Sequence, residues 1–306
     1  MKYSVIIPVY NGEGTIQTLF NDLSSFFNST KLDFEVIFVY DDGIDNSWPI
    51  ILKLKETNPK TVKAVKLTRN YGQHNAIICG FEYATGDFIV TMDEDLQHNP
   101  IDIELLINKQ KEGDFDLVYG KYNELNHNWF RNFTSVLIRK ILSKAIEGLS
   151  PNYSAFRLIK KDIAKKTTNM MNSYTFLDGY VSWITKNVSY TTVSHNERLA
   201  GDSGYTVKKL LVHFMNILFT FSSLPIKLLS TLSILIFILT VIYSCYLISL
   251  KILYNNLIDG FPTMVIIMCF GISVILLGLS IIGEYLFRIN LKTTRRPNYI
   301  VEKAYD

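Results

Sequence analysis

Cysteine is scarce in this sequence of 306 residues, and its scarcity excludes two kinds of site. The three cysteines lie far apart, at Cys79, Cys245 and Cys269. That spacing matches neither a disulfide framework nor a set of zinc ligands. It is consistent with a reducing environment such as the cytosol.

A strong charge of either sign is also absent. The 31 Lys and Arg residues are nearly balanced by 28 Asp and Glu residues, which leaves a formal net charge of +3. So small an excess gives no argument for nucleic acid as a partner. The basic residues lie in local groups beside apolar runs, which favours contact with a membrane surface.

A secretion signal is missing from the amino terminus. Residues 3–9 form a β-rich run, with no basic segment before it and no long apolar segment. We therefore expect the amino-terminal part of the chain to stay on the side of the membrane where it is made. Long apolar runs occur only in the last third of the sequence.

Two uncharged apolar runs, residues 228–250 and 261–283, dominate that last third. Each can cross a hydrocarbon core of ~30 Å as a helix that rises ~1.5 Å per residue. Basic residues flank the pair of runs on its outer sides: Lys208, Lys209 and Lys227 before the first run, and Arg288, Lys292, Arg295 and Arg296 after the second. The positive-inside rule then predicts cytoplasmic termini and an external loop at 251–260.

Residues 206–224, just before the first run, have apolar side chains at helical spacing and basic side chains on other faces. This pattern predicts an amphipathic helix in the membrane interface, with a helix packed on the protein core as the alternative. Pro225 then interrupts the helix. The predicted organisation is a cytoplasmic domain at 1–205, an amphipathic helix at 206–225, a transmembrane hairpin at 226–290 and a cytoplasmic tail at 291–306.

Short β-rich runs alternate with helical patterns through the first 120 residues. The predicted strands are 3–9, 34–40, 62–67, 88–92 and 117–119, and the predicted helices are 15–27, 48–57, 73–84 and 101–112. Such alternation predicts an α/β domain with a mostly parallel sheet covered on both faces. Further on, the sequence predicts a helix within 129–148, strands at 155–159 and 188–195, and a helix near 176–186. Ligands of such sheets bind beyond the carboxyl ends of the strands.

The acidic turn Asp93-Glu94-Asp95 follows the fourth predicted strand. A buried strand that delivers two close carboxylates to its end is costly unless a cation neutralises them. Mg²⁺ is usually held by one or two carboxylates together with substrate phosphates. The turn is therefore a candidate metal site for a diphosphate, and a solvated acidic turn is the alternative.

Two other strand ends carry candidate nucleotide contacts. Asp41-Asp42-Gly43 follows the second strand, where a carboxylate could accept hydrogen bonds from a base or from ribose hydroxyls. The segment from Pro8 to Glu13 ends the first strand and could form a base pocket. Ordinary turn chemistry is the alternative interpretation of both segments.

Taken in order, these strand ends resemble those of the family 2 glycosyltransferases of the GT-A fold, which is Rossmann-like. The segments that carry the resemblance are Ser-Val-Ile-Ile-Pro-Val-Tyr-Asn (4–11), Asp-Asp-Gly (41–43), Arg-Asn-Tyr-Gly (69–72), Gly-Asp (86–87) and Asp-Glu-Asp-Leu-Gln (93–97). Downstream features narrow the resemblance to the polyisoprenyl-phosphate glycosyltransferases. These features are Phe130-Arg131, Ser135, Phe156-Arg157-Leu158, Glu197-Arg198, the segment 201–205, and the two apolar runs followed by Gly283-Glu284-Tyr285, Arg288 and the segment 296–299.

This resemblance implies inverting transfer of a sugar from a nucleotide-sugar, with UDP as the expected nucleotide, to a polyprenyl phosphate such as undecaprenyl phosphate. The residues implied at the donor are Pro8, Tyr10, Glu13, Asp41, Asp42, Arg69, Asp93 and Gln97, with Mg²⁺ or Mn²⁺ on Asp93 and Asp95. The residues implied at the acceptor phosphate are Lys121, Arg131, Ser135, Arg198 and Ser203. The catalytic set implied is Asp93, Asp95, Arg131 and Arg157. Arginine suits a phosphate because its planar fork donates two hydrogen bonds.

The sequence departs from the family pattern at three places. Ala155 stands where many members have an acidic residue, a proposed base, and Gly204 replaces an expected lysine. The segment after Asp42 is shortened, with Ile44 alone between Gly43 and Asp45. These changes concern the acceptor contacts and the base pocket, while both aspartates of the acidic turn are present.

The resemblance also implies a multi-pass protein of the bacterial cytoplasmic membrane that serves cell-envelope glycans, with a homo-tetramer as the expected assembly. Two alternatives remain. One is a non-catalytic membrane partner that retains the fold. The other is a processive polysaccharide synthase, although the Gln-x-x-Arg-Trp motif usual in those enzymes is absent from the sequence.

Overall fold

The computed structural model describes residues 1–122, 138–170, 172, 174–194, 207–254, 260–293 and 297–306. The strands within these residues are β1 (Lys2–Val9), β2 (Asp33–Tyr40), β3 (Val62–Leu67), β4 (Phe88–Thr91), β5 (Leu117–Tyr122), β6 (Arg157–Lys160), β7 (Val188–Val193) and β8 (Val301–Tyr305). The helices, apart from a helical stretch at 138–145, are α1 (Ile16–Thr30), α2 (Ser47–Thr57), α3 (Gln73–Tyr83), α4 (Ile103–Gly113), α5 (Lys161–Thr168), α6 (Leu177–Ile184), α7 (Val207–Phe221), α8 (Leu224–Tyr254) and α9 (Phe261–Thr293). A short 3-10 helix, Pro100–Asp102, precedes α4.

One sheet joins all the described strands in the order β7-β5-β6-β4-β1-β2-β3-β8. The pairs β4–β1, β1–β2, β2–β3 and β5–β7 are parallel, whereas β6 is antiparallel to both its neighbours and β8 is antiparallel to β3. The predicted mostly parallel sheet is therefore confirmed. Because β1, β2, β3 and β4 run in the same direction, the loops that follow them meet at one edge of the sheet.

Helices cover both faces of the sheet, and each face has its own core. Side chains of β1 alternate between the two: Val5 and Ile7 pack with α1, while Ile6 packs with α3. This alternation follows from the two-residue period of a strand, and burial on both faces explains why β1 is almost continuously apolar. The sheet is thus a rigid platform for the loops at its edge.

Helix α7 has two apolar sides. Ile217, Leu218 and Phe221 are buried, and Phe221 packs against aromatic residues of α6. Leu211 and Val212 are exposed. The predicted helix is present, with one side packed on the domain core and apolar side chains exposed on the other; its place in a membrane interface stays a prediction.

Helices α8 and α9 are long and apolar enough to cross a membrane. Their most apolar windows, Leu224–Tyr243 and Phe270–Asn290, have mean hydropathies of 2.2 and 2.0. Helix α8 begins before Pro225, because proline in a first turn removes no intrahelical hydrogen bond. It continues through Tyr254, so residues 251–254 of the expected loop are helical.

Candidate functional site

The acidic turn lies at the carboxyl edge of the sheet, directly after β4. Asp93, Glu94 and Asp95 are all half-buried. The amide of Gln73, the first residue of α3, donates to Oδ1 of Asp93. The backbone N–H of Gln97 donates to Oδ1 of Asp95 at 3.2 Å. Each aspartate is therefore held by a neighbouring group rather than pointing freely into solvent.

Glu94, which the sequence did not suggest as a site residue, packs against the loop after β1. The backbone N–H of Tyr10 donates to Oε1 of Glu94 at 3.3 Å. A Cβ atom on Gly12 would lie 2.9 Å from Cγ of Glu94, so glycine permits this close packing. Burial, and then the charges of Asp93 and Asp95, raise the pKa of Glu94 to about 7. The turn thus concentrates negative charge in a poorly solvated place.

The loops after β1 and β2 are fastened to each other. The carboxylate of Glu13 accepts hydrogen bonds from the backbone N–H of Asn46 at 2.9 Å and from its side-chain amide at 3.1 Å. In return, Asp45 accepts the backbone N–H of Glu13 at 2.9 Å. Glu13 therefore stabilises the amino-terminal end of α2, and its predicted contact with a nucleotide stays a prediction.

The shortened segment after Asp42 is compact. The backbone N–H of Ile44 donates to Oδ1 of Asn11 at 2.8 Å. A Cβ atom on Gly43 would lie only 2.6 Å from that same oxygen. Glycine is therefore required for this close approach, and the short segment closes tightly over the β1 loop.

Asp41 and Asp42, adjacent in sequence, have different environments. Asp41 is buried, and its two carboxylate oxygens accept the backbone N–H groups of Tyr71 and Gly72, each at 2.7 Å. Burial raises the pKa of Asp41 to about 6 although these hydrogen bonds oppose the increase. Asp42 is exposed, with a left-handed backbone φ of 51°. Asp41 fixes the loop before α3, and Asp42 is the one available to a ligand.

The remaining predicted donor residues lie around this edge. Pro8 is buried within β1, whereas the side chain of Tyr10 is 47% exposed. Arg69 is exposed, and its guanidinium carbon lies 4.7 Å from the centre of the Tyr71 ring. Gln97 ends the acidic turn. The structure therefore brings the predicted donor residues to one edge, where Tyr10, Glu13, Asp42 and Arg69 are exposed.

Arg157 lies below the edge in the protein core. It is 1% exposed and forms an ion pair with Asp178, which also accepts the hydroxyl of Tyr119 at 2.7 Å. The guanidinium carbon lies 5.6 Å from the Tyr119 ring. This burial favours a supporting role, and the predicted catalytic role of Arg157 stays a prediction.

The predicted acceptor residues are only partly described. Lys121 is exposed near the end of β5, with its ammonium group 5.5 Å from the centre of the Tyr190 ring. Ala155 lies beside the acidic turn, because the hydroxyl of Thr91 donates to its carbonyl oxygen at 2.6 Å. The other predicted acceptor residues, Arg131, Ser135, Arg198 and Ser203, lie outside the described residues.

The residues of the acidic turn fit a divalent cation that is shared with a ligand. Among the described residues, no group of three or more His, Cys, Asp or Glu side chains could hold a metal ion by itself. Two aspartates supply hard oxygen ligands of the kind that Mg²⁺ and Mn²⁺ take, with phosphates completing the set. Burial is the larger cause of the raised pKa of Glu94, and the neighbouring charges of Asp93 and Asp95 add to it.

The family model described as Glycosyl transferase family 2 matches residues 4–170, which include the acidic turn and the loops around it. The chain belongs to this family. This glycosyltransferase is 32% identical to the uncharacterized glycosyltransferase YkcC of Bacillus subtilis (strain 168), over 100% of this chain and 94% of that protein. It is 30% identical to an undecaprenyl-phosphate 4-deoxy-4-formamido-L-arabinose transferase of Proteus mirabilis (strain HI4320), over 99% of this chain and 94% of that protein. The predicted family is confirmed.

A solved structure shows the same fold. Glucosyl-3-phosphoglycerate synthase from Mycobacterium tuberculosis, in complex with Mn²⁺, uridine-diphosphate-glucose and phosphoglyceric acid, matches this glycosyltransferase with a TM-score of 0.52. The match covers 71% of this chain and 77% of that chain at 15% identity. At this identity the likeness concerns the fold alone, and the predicted GT-A fold is confirmed.

Proposed function

We propose that this glycosyltransferase transfers a sugar from a nucleotide-sugar to a polyprenyl phosphate, with inversion at the anomeric carbon. The observation that carries the proposal is an acidic turn, Asp93 to Asp95, at the ligand-binding edge of a sheet whose chain continues into two helices of membrane-spanning length. The printed name of the Proteus mirabilis relative supports a polyprenyl phosphate as the acceptor. The product would be a lipid-linked sugar for cell-envelope glycans.

On the donor side, Asp93 and Asp95 would hold Mg²⁺ or Mn²⁺ against the diphosphate. When bound, the cation stabilises the charge of the departing nucleoside diphosphate. Asp42 and Tyr10 are exposed at the rim and are proposed to contact the ribose and the base. The solved synthase holds Mn²⁺ and uridine-diphosphate-glucose, so Mn²⁺ and UDP-sugars are the first to test.

On the acceptor side, the protein mainly has to bring two anions together. A phosphate monoester is already largely ionised at neutral pH, so as a nucleophile it needs little help from a base. The alanine at position 155, which cannot act as a base, is therefore compatible with transfer. Lys121 is exposed beside the edge and is proposed to neutralise the acceptor phosphate together with Arg131, Ser135, Arg198 and Ser203. Arg157, buried in its ion pair with Asp178, is proposed to support the site from below.

The membrane part would keep the domain beside its acceptor. The exposed apolar side of α7 is proposed to lie in the interface, and both termini are proposed to be cytoplasmic. The long hydrocarbon chain of a polyprenyl phosphate cannot leave the bilayer. A domain held at the surface meets only the phosphate end of that lipid.

The test is transfer by the purified full-length protein in detergent, with undecaprenyl phosphate, Mn²⁺ and a panel of radiolabelled nucleotide-sugars. We expect one donor to give a labelled product that partitions into organic solvent only when the lipid phosphate is present. Asp162→Asn, which changes a carboxylate that is 65% exposed on α5, should transfer like the parent and serves as the matched control. Absence of labelled lipid with every donor would overturn the proposal and favour a non-catalytic membrane partner.

A further inference from the structure

A buried histidine lies directly beneath the acidic turn. His98 is 5% exposed, and its Nδ1 accepts the backbone N–H of Asp93 at 3.2 Å. Because Nδ1 is the acceptor, a neutral His98 carries its proton on Nε2. Nε2 in turn is in hydrogen-bond contact with the hydroxyl of Tyr122. His98 therefore connects the first residue of the turn to the last residue of β5.

The ring of His98 has little freedom to move. It stacks on Phe156 with ring centres 5.1 Å apart and planes 15° apart, and its plane is nearly parallel to that of Tyr122, at 8°. Phe156 is itself completely buried. A Cβ atom on Gly120 would lie 2.7 Å from that phenylalanine, so the space around it is already filled. The imidazole is held in place by the core of the domain.

The turn above His98 needs such support. Leu96 has a left-handed φ of 62°, a conformation that a residue with a side chain adopts only when its surroundings impose it. Asp95 is fixed within the turn by the N–H of Gln97. The backbone of Asp93, at the other end, is fixed by His98 from outside the turn.

We propose that His98 is a positioning residue for the metal-binding turn, which holds the Asp93 carboxylate in the orientation that binds the divalent cation. The inference rests on the proposed function, because it takes Asp93 and Asp95 as the metal ligands. Tyr122 immediately precedes residues 123–137, which contain Arg131 and Ser135 in the sequence.

Two substitutions separate positioning from simple packing. His98→Phe retains a ring that can stack on Phe156 but has no acceptor for the N–H of Asp93. His98→Asn places an amide oxygen close to the position of Nδ1 and can accept that N–H again. Groups that orient metal ligands change metal affinity by about 10- to 100-fold. We therefore expect His98→Phe to weaken Mn²⁺ binding by at least ~10-fold and His98→Asn to restore most of it.

The experiment measures Mn²⁺ binding to the full-length protein in detergent with UDP present, by electron paramagnetic resonance of the free ion, alongside thermal unfolding without metal. Equal Mn²⁺ affinity in His98→Phe and the parent would overturn the inference and leave His98 a packing residue. Failure of His98→Asn to restore binding would overturn the hydrogen-bond explanation.

If His98→Phe does not fold, Tyr122→Phe removes only the hydroxyl, and we expect it to weaken Mn²⁺ binding to a smaller extent; an unchanged affinity there would overturn the inference. If the parent itself binds no Mn²⁺, the metal assignment in the proposed function fails, and the inference fails with it. If the parent binds Mn²⁺ and transfers sugar, and His98→Phe has the same Mn²⁺ affinity and transfer as the parent, the inference alone fails and the proposed function stands.

Discussion

Single residues at the carboxyl edge of the sheet differ in whether they can reach a ligand or only hold the site together. Asp41 is buried, and both of its carboxylate oxygens accept hydrogen bonds from backbone N–H groups. Asp93 and Asp95 are half-buried at the turn itself. Removing the charge of Asp93 or Asp95 should therefore weaken ligand binding at the turn. Removing the charge of Asp41 should instead change how the stability of the fold depends on pH.

The first residue-scale prediction concerns Asp95→Asn. The amide keeps the size of the side chain and can still accept the N–H of Gln97, but it removes the charge that a divalent cation needs. We expect sugar transfer to fall by about 100-fold or more, since electrostatic groups of this kind contribute ~10²–10³ to a rate. EDTA should abolish transfer by the parent. Full activity in the variant or with EDTA, measured beside the Asp162→Asn control, would contradict the metal site.

The second residue-scale prediction concerns Asp41→Asn. The pKa of Asp41 in the folded protein is about 6, above its ordinary value of 3.8, so its contribution to stability is fully present below pH 3.8 and is lost as pH rises through 6. Asparagine has no such dependence. The free energy of unfolding of the parent minus that of the variant should therefore decrease between pH 4 and pH 7, by up to about 3 kcal/mol. Thermal unfolding in detergent measures it, and a difference that is constant with pH would contradict the raised pKa.

At the scale of helices and strands, the two edges of the sheet have separate tasks. The amino edge carries a buried network in which Glu35 accepts hydrogen bonds from Ser4 at 2.6 Å, from the backbone N–H of Thr85 at 2.6 Å and from Lys2 at 2.9 Å. These contacts fasten the starts of β1 and β2 to the loop before β4. The carboxyl edge carries the candidate site, so the network should support the fold without taking part in transfer.

Glu35→Gln tests this separation. Burial alone would raise the pKa of Glu35, but the hydrogen bonds from Ser4, Thr85 and Lys2 together lower it to about 2. The stabilisation is therefore present above pH 4.5 and is lost as pH falls through 2, and at pH 7 it amounts to about 3 kcal/mol. We expect the variant to unfold at a lower temperature at pH 7, with the difference shrinking at pH 3, and to keep the parent's KM for the donor at low temperature. A raised donor KM would contradict the separation of the edges.

The same scale shows which elements a sequence can predict. The strands of the parallel part and the helices between them follow local periodicity, so they were predicted to within a few residues. Strand β8 was not predicted, because its residues are mostly exposed, two of the five are charged, and it forms only by pairing with β3, more than 230 positions away, where Lys66 and Glu302 meet at 2.8 Å. Helix α5 was also missed, since it starts directly after β6.

The candidate site was also predictable only in part: the sequence predicted its carboxylates but not the partners that hold them. Asp93 and Asp95 stood out because two carboxylates directly follow an apolar strand. The partners that hold them, Gln73 and His98, were not predicted. The contact of Gln73 depends on how α3 packs, and that of His98 depends on the path of the loop after β4. Glu13 was assigned to the nucleotide from its place in the β1 loop, whereas its carboxylate accepts hydrogen bonds from the start of α2.

At the scale of the whole molecule, Arg288 joins the membrane part to the catalytic domain. From α9 it pairs with Glu284 at 2.6 Å and donates to Thr220 and Asn216 of α7 at 2.9 and 3.1 Å. Its guanidinium carbon also lies 5.5 Å from the centre of the Phe219 ring. Since α7 packs on the domain by its other side, these contacts link α9 to the domain through α7, and we expect them to set the angle of the domain at a bilayer.

Arg288→Met removes the charge and the hydrogen bonds but keeps a long apolar side chain. Breaking a largely buried charged contact costs about 2–5 kcal/mol, so we expect α7 to loosen from α9 and the lipid acceptor to be presented poorly. In vesicles that contain undecaprenyl phosphate, the KM for that lipid should rise by ~10-fold or more, because 1.4 kcal/mol corresponds to a factor of ten. The KM for the nucleotide-sugar should stay unchanged, because the acidic turn is not touched. Lys227→Met, which removes an exposed charge near the start of α8, is the matched control. Equal increases in both KM values, or an effect of the same size in the control, would show that Arg288 does not orient the domain toward its lipid.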